Sequence, residues 1–217
     1  KKPWEGNGPM ETPWNLISAS PIPFNENFAT PKEMTLEDME EIKAQFVQAT
    51  KNADETGFDM IELQAHHGFL LASFLSPLTN IRTDEYGGSI ENRLKYPLAI
   101  FKAIRDVFPS EKPISVRISA TDWAENGISE QEVITISEAF KNAEADIINV
   151  STGNTVAGQK PLTGRMWQTP FSDAVRNTVH IPTIIAGYIQ DIDQINTIIL
   201  NGRADLVALG RPLLLDA

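Results

Sequence analysis

The chain has 217 residues, of which 41% are hydrophobic, and this suits one globular domain with a sizeable core. Its net charge of −11 argues against nonspecific binding to nucleic acid or to an anionic membrane, since both depend on clustered Lys and Arg. With no cysteine, disulfides, thiolate metal sites and a cysteine nucleophile are excluded. The three histidines lack the His-x-x-x-His spacing, so no metal site is expected. The apolar runs are too short for a membrane span, and the N-terminus has no signal pattern, so a cytoplasmic location is expected.

The first 34 residues are rich in Pro, Gly and Asn, which predicts an extended surface segment rather than a packed element. Helical order is predicted to begin at Thr35, where Thr-Leu-Glu-Asp forms a capping box. Apolar residues then recur at helical spacing until Gly57 supplies a left-handed stop. A short apolar strand is predicted directly afterwards, at residues 59–63.

The alternation of helix and strand continues to the C-terminus. Helices are predicted near residues 90–107, 129–142, 171–178 and 192–200, and strands at residues 114–119, 146–150, 183–186 and 205–209. Five buried-type strands interleaved with helices indicate parallel βαβ units, because parallel neighbours require crossover connections. This α/β pattern leaves two folds open, a doubly wound sheet and a (β/α)8 barrel.

Polar side chains follow the strand at residues 59–63. Strand alternation places Glu62 and Gln64 on one face, and His66 and His67 come next. An amide and an imidazole can both donate hydrogen bonds to a developing oxyanion, which makes Gln64 and His67 catalytic candidates. The alternative is that the histidines only cap the strand end.

Four further residues suit an anionic ligand. Arg117 lies inside the strand at residues 114–119, where an unpaired charge is costly, so it either serves a ligand or forms a salt bridge, for instance with Glu62. Gly187 and Gly210 follow the last two strands, where barrels bind phosphate through the backbone N–H groups of turns. Arg211 adds a cation beside the second turn.

A long stretch carries a family resemblance. Gln64-Ala-His-His-Gly-Phe69 is followed by Phe74-Leu-Ser-Pro77 and by Tyr86-Gly-Gly-Ser-Ile-Glu-Asn-Arg93. This resembles the signature of the Old Yellow Enzyme family of FMN-dependent oxidoreductases, which reads His-x-x-His/Asn-Gly-Tyr before the same two blocks. The resemblance implies a (β/α)8 TIM barrel, here truncated to about strands four to eight, with residues 1–6 inside the loop after strand three. Residues 82–93 are expected to be architectural, with their charges paired among themselves.

The resemblance also implies roles for the candidate residues. Gln64 and His67 match the pair that holds the oxygen of a substrate carbonyl or phenol over FMN, and His66 could replace Gln64 by a local shift. Arg117 matches the residue that faces the pyrimidine edge of the flavin. Phe69 stands where the family carries a proton-donating Tyr, so it is expected to be an apolar wall of the substrate site.

The matches at the two C-terminal turns imply that Gly187, Gly210 and Arg211 clamp the FMN phosphate, with NAD(P)H as the reductant. The alternative is a catalytically silent, truncated barrel that serves as a structural or association domain. Either way, the open sheet edges favour association, so a homo-oligomer is one expected assembly.

Three stretches resemble one branch of the family, at residues 14–24, 117–123 and 164–171. They are similar to the C-terminal reductase half of bifunctional salicylyl-CoA or 2-aminobenzoyl-CoA monooxygenases. This implies an FAD monooxygenase domain fused in the parent protein and an aryl-CoA thioester as the small-molecule substrate. Arg165 is the candidate substrate contact in the third stretch.

Overall fold

Five parallel strands form the central sheet of the computed structural model, which describes residues 15–215. They are β3 (Ile61–Ala65), β4 (Ile114–Ser119), β5 (Ile147–Ser151), β6 (Thr183–Ile185) and β7 (Leu206–Val207). The helices are α1 (Leu36–Glu55), α2 (Leu70–Leu75), α3 (Ile90–Arg105), α4 (Glu130–Asn142), α5 (Thr169–Val179), α6 (Ile192–Leu200) and α7 (Arg211–Leu215). No helix among these residues is long and apolar enough to cross a lipid bilayer.

The order of the strands distinguishes the two predicted folds. Each strand pairs with the next one along the chain, in the order β3-β4-β5-β6-β7, with no reversal. Because parallel crossovers are almost always right-handed, an unreversed order puts every connecting helix on the same face of the sheet. Accordingly, α1 packs on α3, α3 on α4 and α4 on α5. The described sheet is therefore part of a barrel wall, which confirms the predicted α/β class and its run of consecutive βα units.

The core lies between the outer face of the sheet and the helices. Fully buried side chains from both layers meet there, and they include Val116, Ile118, Ile148, Val150, Ile185, Ile100, Phe101, Ile136, Phe140 and Val175. The inner face of the sheet is polar instead, with Gln64, Arg117 and Asn149 aligned across β3, β4 and β5. The hydrophobic effect thus fixes the helical layer and leaves the inner face free for chemistry.

Most predicted elements are present, with shifts at their ends. The capping box at Thr35 forms, and Gly57 has the left-handed φ of 86° expected of a stop signal. The strand predicted at residues 59–63 begins and ends two residues later. Helices α2 and α7 are not predicted, because segments of six and five residues are too short to show a helical period.

The prediction of an unpacked N-terminal segment is wrong for residues 17–20 and 32–34. A parallel pair forms there between β1 (Ile17–Ser18) and β2 (Lys32–Glu33). Ala19 and Met34 are buried beside it, and the Arg82 guanidinium donates hydrogen bonds to both of their carbonyls, at 3.1 and 2.8 Å. The predictions for residues 1–6 and for the start of the stretch at residues 14–24 lie outside the described residues.

Residues 82–93 are architectural, as expected, but their charges pair only partly among themselves. Arg82 binds Asp84 within the segment. The buried guanidinium of Arg93 instead pairs with Glu132 on α4 and donates to the carbonyls of Leu75 and Gly88. One side chain therefore ties α2, α3 and α4 together.

Candidate active site

The candidate site lies where β3, β4 and β5 end. Gln64, Arg117 and Asn149 are partners in the strand register, so their side chains share the inner face of the sheet. Gln64 is exposed, Arg117 is half-buried and Asn149 is buried. Barrel enzymes work at this end of the strands, and the fold therefore brings Gln64 and Arg117 to the expected place.

His67 is held by two neighbouring strand ends. Its φ of 54° is left-handed, and its backbone N–H donates to Ser119 Oγ at 2.9 Å. Its ring Nε2 lies 2.7 Å from Ser151 Oγ. A substrate oxygen that binds His67 at Nε2 must therefore share or displace Ser151. Strained, non-glycine backbone of this kind is often found at functional sites.

Both histidines are neutral at neutral pH. Burial lowers the pKa of His67 to about 4, with a further contribution from the charge of Arg117. Burial also lowers the pKa of His66 to about 3, helped by the charges of His67 and Arg117. A neutral imidazole donates from one nitrogen and accepts at the other, so His67 can donate to a substrate oxygen only when the nitrogen that faces that oxygen carries the proton.

The His66 ring contacts the rings of His67 and Phe69. His66 is only 4% exposed, with its ring centroid 4.0 Å from that of His67 and 5.8 Å from that of Phe69. Phe69 is 48% exposed and so presents an apolar surface to solvent. The substrate contacts predicted for His66 and Phe69 both stay predictions, and the burial of His66 disfavours the first.

Arg117 does not form the alternative salt bridge with Glu62. The Glu62 carboxylate instead accepts hydrogen bonds from Ser115 Oγ at 2.9 Å and Asn149 Nδ2 at 2.8 Å. Arg117 Nε is buried and has no hydrogen-bond partner among residues 15–215. A half-buried guanidinium without a carboxylate is suited to an electron-rich or anionic ligand.

The two predicted phosphate turns lie side by side. The Arg211 guanidinium lies 5.0 Å from the centre of the Tyr188 ring, which joins the turn after β7 to the turn after β6. Gly187 has φ 111°, and Trp167 Nε1 lies 3.0 Å from the position that a Cβ would take. Any other residue at Gly187 would be strained, because L side chains rarely adopt this positive φ. Gly210 and Arg211 are exposed, so a backbone N–H group and a cation of this turn are accessible to a phosphate.

An aromatic cleft opens beside these turns, between the loops that follow β4 and β5. Its volume is about 600 Å³, and it is lined by Trp123, Pro161, Leu162, Thr163, Gly164, Trp167, Pro170 and Phe171. Arg165, the predicted substrate contact, is exposed next to the lining residue Gly164. Arg165 itself is not among the residues that line the cleft, so its substrate contact stays a prediction.

Asn149 and Gln168 belong to the site but were not predicted. Asn149 is the polar residue within Ile147–Ser151, and the alternation applied to Arg117 would have found it. Gln168 accepts a hydrogen bond from Thr152 Oγ1 at 3.0 Å and donates to the carbonyl of Ala186 at 3.1 Å. It joins the loops after β5 and β6, and no local sequence signal marks that long-range role.

Comparisons with known proteins identify related sequences. Residues 6–217 match the sequence model of the NADH:flavin oxidoreductase / NADH oxidase family. An NADPH dehydrogenase of Clostridium acetobutylicum is 42% identical over 199 residues, covering 91% of this chain and 58% of the relative. An NADPH dehydrogenase of Geobacillus thermodenitrificans is 41% identical, covering 94% and 59%. The chain therefore spans less than two thirds of the length of these curated relatives.

Solved structures are similar over most of the chain. A 2-naphthoyl-CoA reductase in complex with 2-naphthoyl-CoA superposes with a TM-score of 0.85 at 28% identity, covering 92% of this chain and 31% of the other. A histamine dehydrogenase from Rhizobium sp. 4-9 superposes with a TM-score of 0.80 at 26% identity, covering 92% and 30%.

Proposed function

Because the chain belongs to the NADH:flavin oxidoreductase / NADH oxidase family, we propose that it supplies the FMN- and substrate-binding part of an NAD(P)H-dependent oxidoreductase of Old Yellow Enzyme type. The family match confirms the predicted type of protein and its flavin and nicotinamide cofactors. The enzymatic activity is part of what we propose, because the chain covers only 58% and 59% of the lengths of the two NADPH dehydrogenases.

The convergence of the two glycine turns with Arg117 and His67 at one end of the sheet carries the proposal. The backbone N–H groups at Gly187 and Gly210, with Arg211, would hold the FMN phosphate. Arg117, whose Nε has no partner among residues 15–215, would face the flavin ring. When bound, FMN supplies hydride transfer from a nicotinamide to a substrate, and the protein supplies binding and polarisation.

The chain's own residues would orient the substrate. In the proposal, Gln64 and His67 donate hydrogen bonds to the oxygen of a carbonyl or phenol, as a neutral amide and a neutral imidazole can. Phe69 has no proton to donate, so the proton that completes an alkene reduction must come from solvent or another group. We therefore expect simple enones to be reduced slowly.

The proposed substrate is an enone-like or aryl-CoA-derived ring. The aromatic cleft supports a ring-bearing substrate, and the similarity to a structure that contains 2-naphthoyl-CoA supports a thioester. A parent protein with a fused FAD monooxygenase domain is a narrower proposal, which rests on the resemblance at residues 117–123 and 164–171.

One observation favours the rival function of a structural or association domain. Leu206 on the edge strand β7 is 54% exposed, and Leu213, Leu214 and Leu215 on α7 are 53%, 85% and 89% exposed. Such an apolar surface is suited to a protein partner. This rival predicts no flavin binding, so a cofactor titration separates the two functions.

The test is titration of the 217-residue chain with FMN, followed by flavin absorbance and fluorescence. Arg211→Glu should raise the Kd at least tenfold, which is about 1.4 kcal/mol, because it replaces the phosphate's cation with an anion. Lys51→Glu makes the same charge change at an exposed position on α1 and should leave the Kd unchanged. Equal affinity in all three proteins would remove the phosphate clamp from the proposal.

A further inference from the structure

The aromatic cleft is built around two stacked indoles. The ring centroids of Trp123 and Trp167 are 5.6 Å apart with an interplanar angle of 26°, and Phe171 meets Trp123 edge-on at 5.5 Å. A third ring cannot enter between indoles this close, so a ligand must lie against the outer surface of the stack. The three rings therefore form one continuous wall rather than a slot.

The loop that carries Trp123 is fixed by buried hydrogen bonds. Asp122, which is fully buried, accepts from Ser76 Oγ at 2.7 Å and from the Ile128 N–H at 2.9 Å. Trp123 itself has a left-handed φ of 53°, and its carbonyl accepts from the Lys160 N–H at 2.8 Å. Since a left-handed backbone is unfavourable for Trp, the surrounding contacts hold this side chain in place.

The wall connects the two halves of the candidate site. At one end, Trp123 Cδ1 lies 3.0 Å from the position that a Cβ on Gly153 would take. The carbonyl of Gly153 accepts a hydrogen bond from Ser119 Oγ, and Ser119 Oγ in turn accepts one from the backbone N–H of His67. At its other end, Trp167 lies against Gly187. The cleft therefore opens at the same end of the sheet as His67 and the phosphate turn.

The chemistry of the lining indicates the ligand. Pro161, Leu162 and Pro170 extend the aromatic wall, and Leu162 is 77% exposed, so a large apolar surface meets water. The side chains that line the cleft carry no charge. Covering such a surface with a flat apolar ring is favoured by both burial and stacking.

We infer that the aromatic cleft is a substrate subsite that binds a planar, apolar ring system. This inference rests on the proposed function, because it gives that site its substrate class. Trp123 and Trp167 provide the stacking surface, and Leu162 covers the outer edge of the ring.

The test is isothermal titration calorimetry of the 217-residue chain with three neutral probes, namely 2-naphthamide, its saturated analogue decahydronaphthalene-2-carboxamide, and adenosine. The flat naphthamide should bind at least tenfold more tightly than the puckered analogue of similar size and than adenosine. Leu162→Asp should weaken naphthamide binding at least tenfold, since it places a charge at the edge of the ring. Leu200→Asp, at a leucine 83% exposed on α6, is the matched control and should bind as the parent does.

A second variant, Trp123→Ala, should also lose binding, and circular dichroism melting shows whether it remains folded. If Trp123→Ala unfolds, Leu162→Asp still tests the subsite, because the exposed Leu162 side chain can be replaced without disturbing the core. Equal affinity for the flat and saturated probes, tighter binding of adenosine, or an unchanged Kd in Leu162→Asp would each overturn the subsite. FMN titrations of the same proteins separate the two proposals. If the ring probe does not bind but FMN does, only the subsite is wrong. If FMN does not bind but the ring probe does, only the cofactor site is wrong.

Discussion

Burial gives His66 and His67 their chemical character. Neighbouring histidines near a cation are held neutral here, because Arg117 and the buried surroundings both disfavour a positive imidazole. A neutral His67 suits an oxygen that gains negative charge only during the reaction, since it can donate a hydrogen bond without first binding the oxygen as an ion pair.

The same pKa shifts predict a sensitivity to acid. In the unfolded chain the two histidines titrate near pH 6.5, whereas in the fold they titrate near 3 and 4. The unfolded state therefore binds more protons below pH 6.5, and the free energy of unfolding falls as the pH drops from 6.5 toward 4. We expect a loss of about 2 kcal/mol per histidine between pH 6.5 and 5.

Urea denaturation at pH 7 and pH 5 measures this loss. The double variant His66→Gln/His67→Gln should show a much smaller difference between the two pH values than the parent chain. If both proteins lose the same stability on acidification, other groups cause the effect and the neutral state of the two histidines loses its support.

Because Phe69 has no hydroxyl group to act as a proton donor, enone reduction should be slow, and the Phe69→Tyr substitution should speed it. Phe69→Tyr should speed reoxidation of the FMN-loaded, reduced protein by cyclohexenone about tenfold or more, because general acid catalysis typically contributes on the order of 10²-fold or more. Stopped-flow absorbance of the flavin measures the rate. Phe58→Tyr adds the same hydroxyl to an exposed phenylalanine outside the site and should have no effect. Fast reoxidation of the unmodified protein would show that another proton donor exists.

The sequence predicts the polar residues on regular strands better than the contacts between loops. Period-two alternation places Gln64 and Arg117 on one face, and the register confirms it. The bond between His67 and Ser151 spans 84 positions and the bridge made by Gln168 crosses two loops, so neither leaves a local pattern.

At the scale of elements, the Arg82 guanidinium holds the N-terminal segment on the barrel wall. It contacts the carbonyls of Ala19 and Met34 and the carboxylate of Asp84 at once. A planar fork of donors can satisfy three acceptors in fixed directions, which a lysine ammonium on a flexible stem cannot do equally well.

Arg82→Lys should therefore loosen residues 17–34 while leaving the sheet intact. Limited proteolysis should cut within this segment at least tenfold faster than in the parent chain, and mass spectrometry locates the cut. Arg203→Lys, which alters an ion pair with Asp173 on α5, is the control and should not change cutting there. An unchanged rate in Arg82→Lys would mean that the β1–β2 pair holds itself.

Long helices with caps could be predicted, whereas the short helices α2 and α7 could not. Capping boxes at Thr35 and Ser129 fixed the starts of α1 and α4, because their side chains satisfy N–H groups that the helix leaves free. Strand β7 was predicted over five residues and pairs over two, since an apolar run does not show where hydrogen bonding to β6 ends.

At the scale of the whole molecule, we expect the two edges of the described sheet to determine self-association and FMN binding. Strands β3 and β7 each have one neighbour among residues 15–215, and exposed backbone groups on such edges promote association. We expect the 217-residue chain to self-associate or to bind FMN weakly, and a longer version carrying upstream barrel strands to be monodisperse and yellow. Size-exclusion chromatography with flavin absorbance compares them. A monomeric, flavin-loaded short chain contradicts this expectation.

The unreversed strand order also gives the molecule a modular character. Each βα unit is hydrogen-bonded to the units directly before and after it in the chain, much as repeats are in a solenoid. A backbone break in the loop between α4 and β5 would leave two pieces that each keep paired strands, β3 with β4 and β5 with β6 and β7. Fragment complementation, in which two separate polypeptides rebuild one sheet, is therefore an intrinsic capacity of this topology.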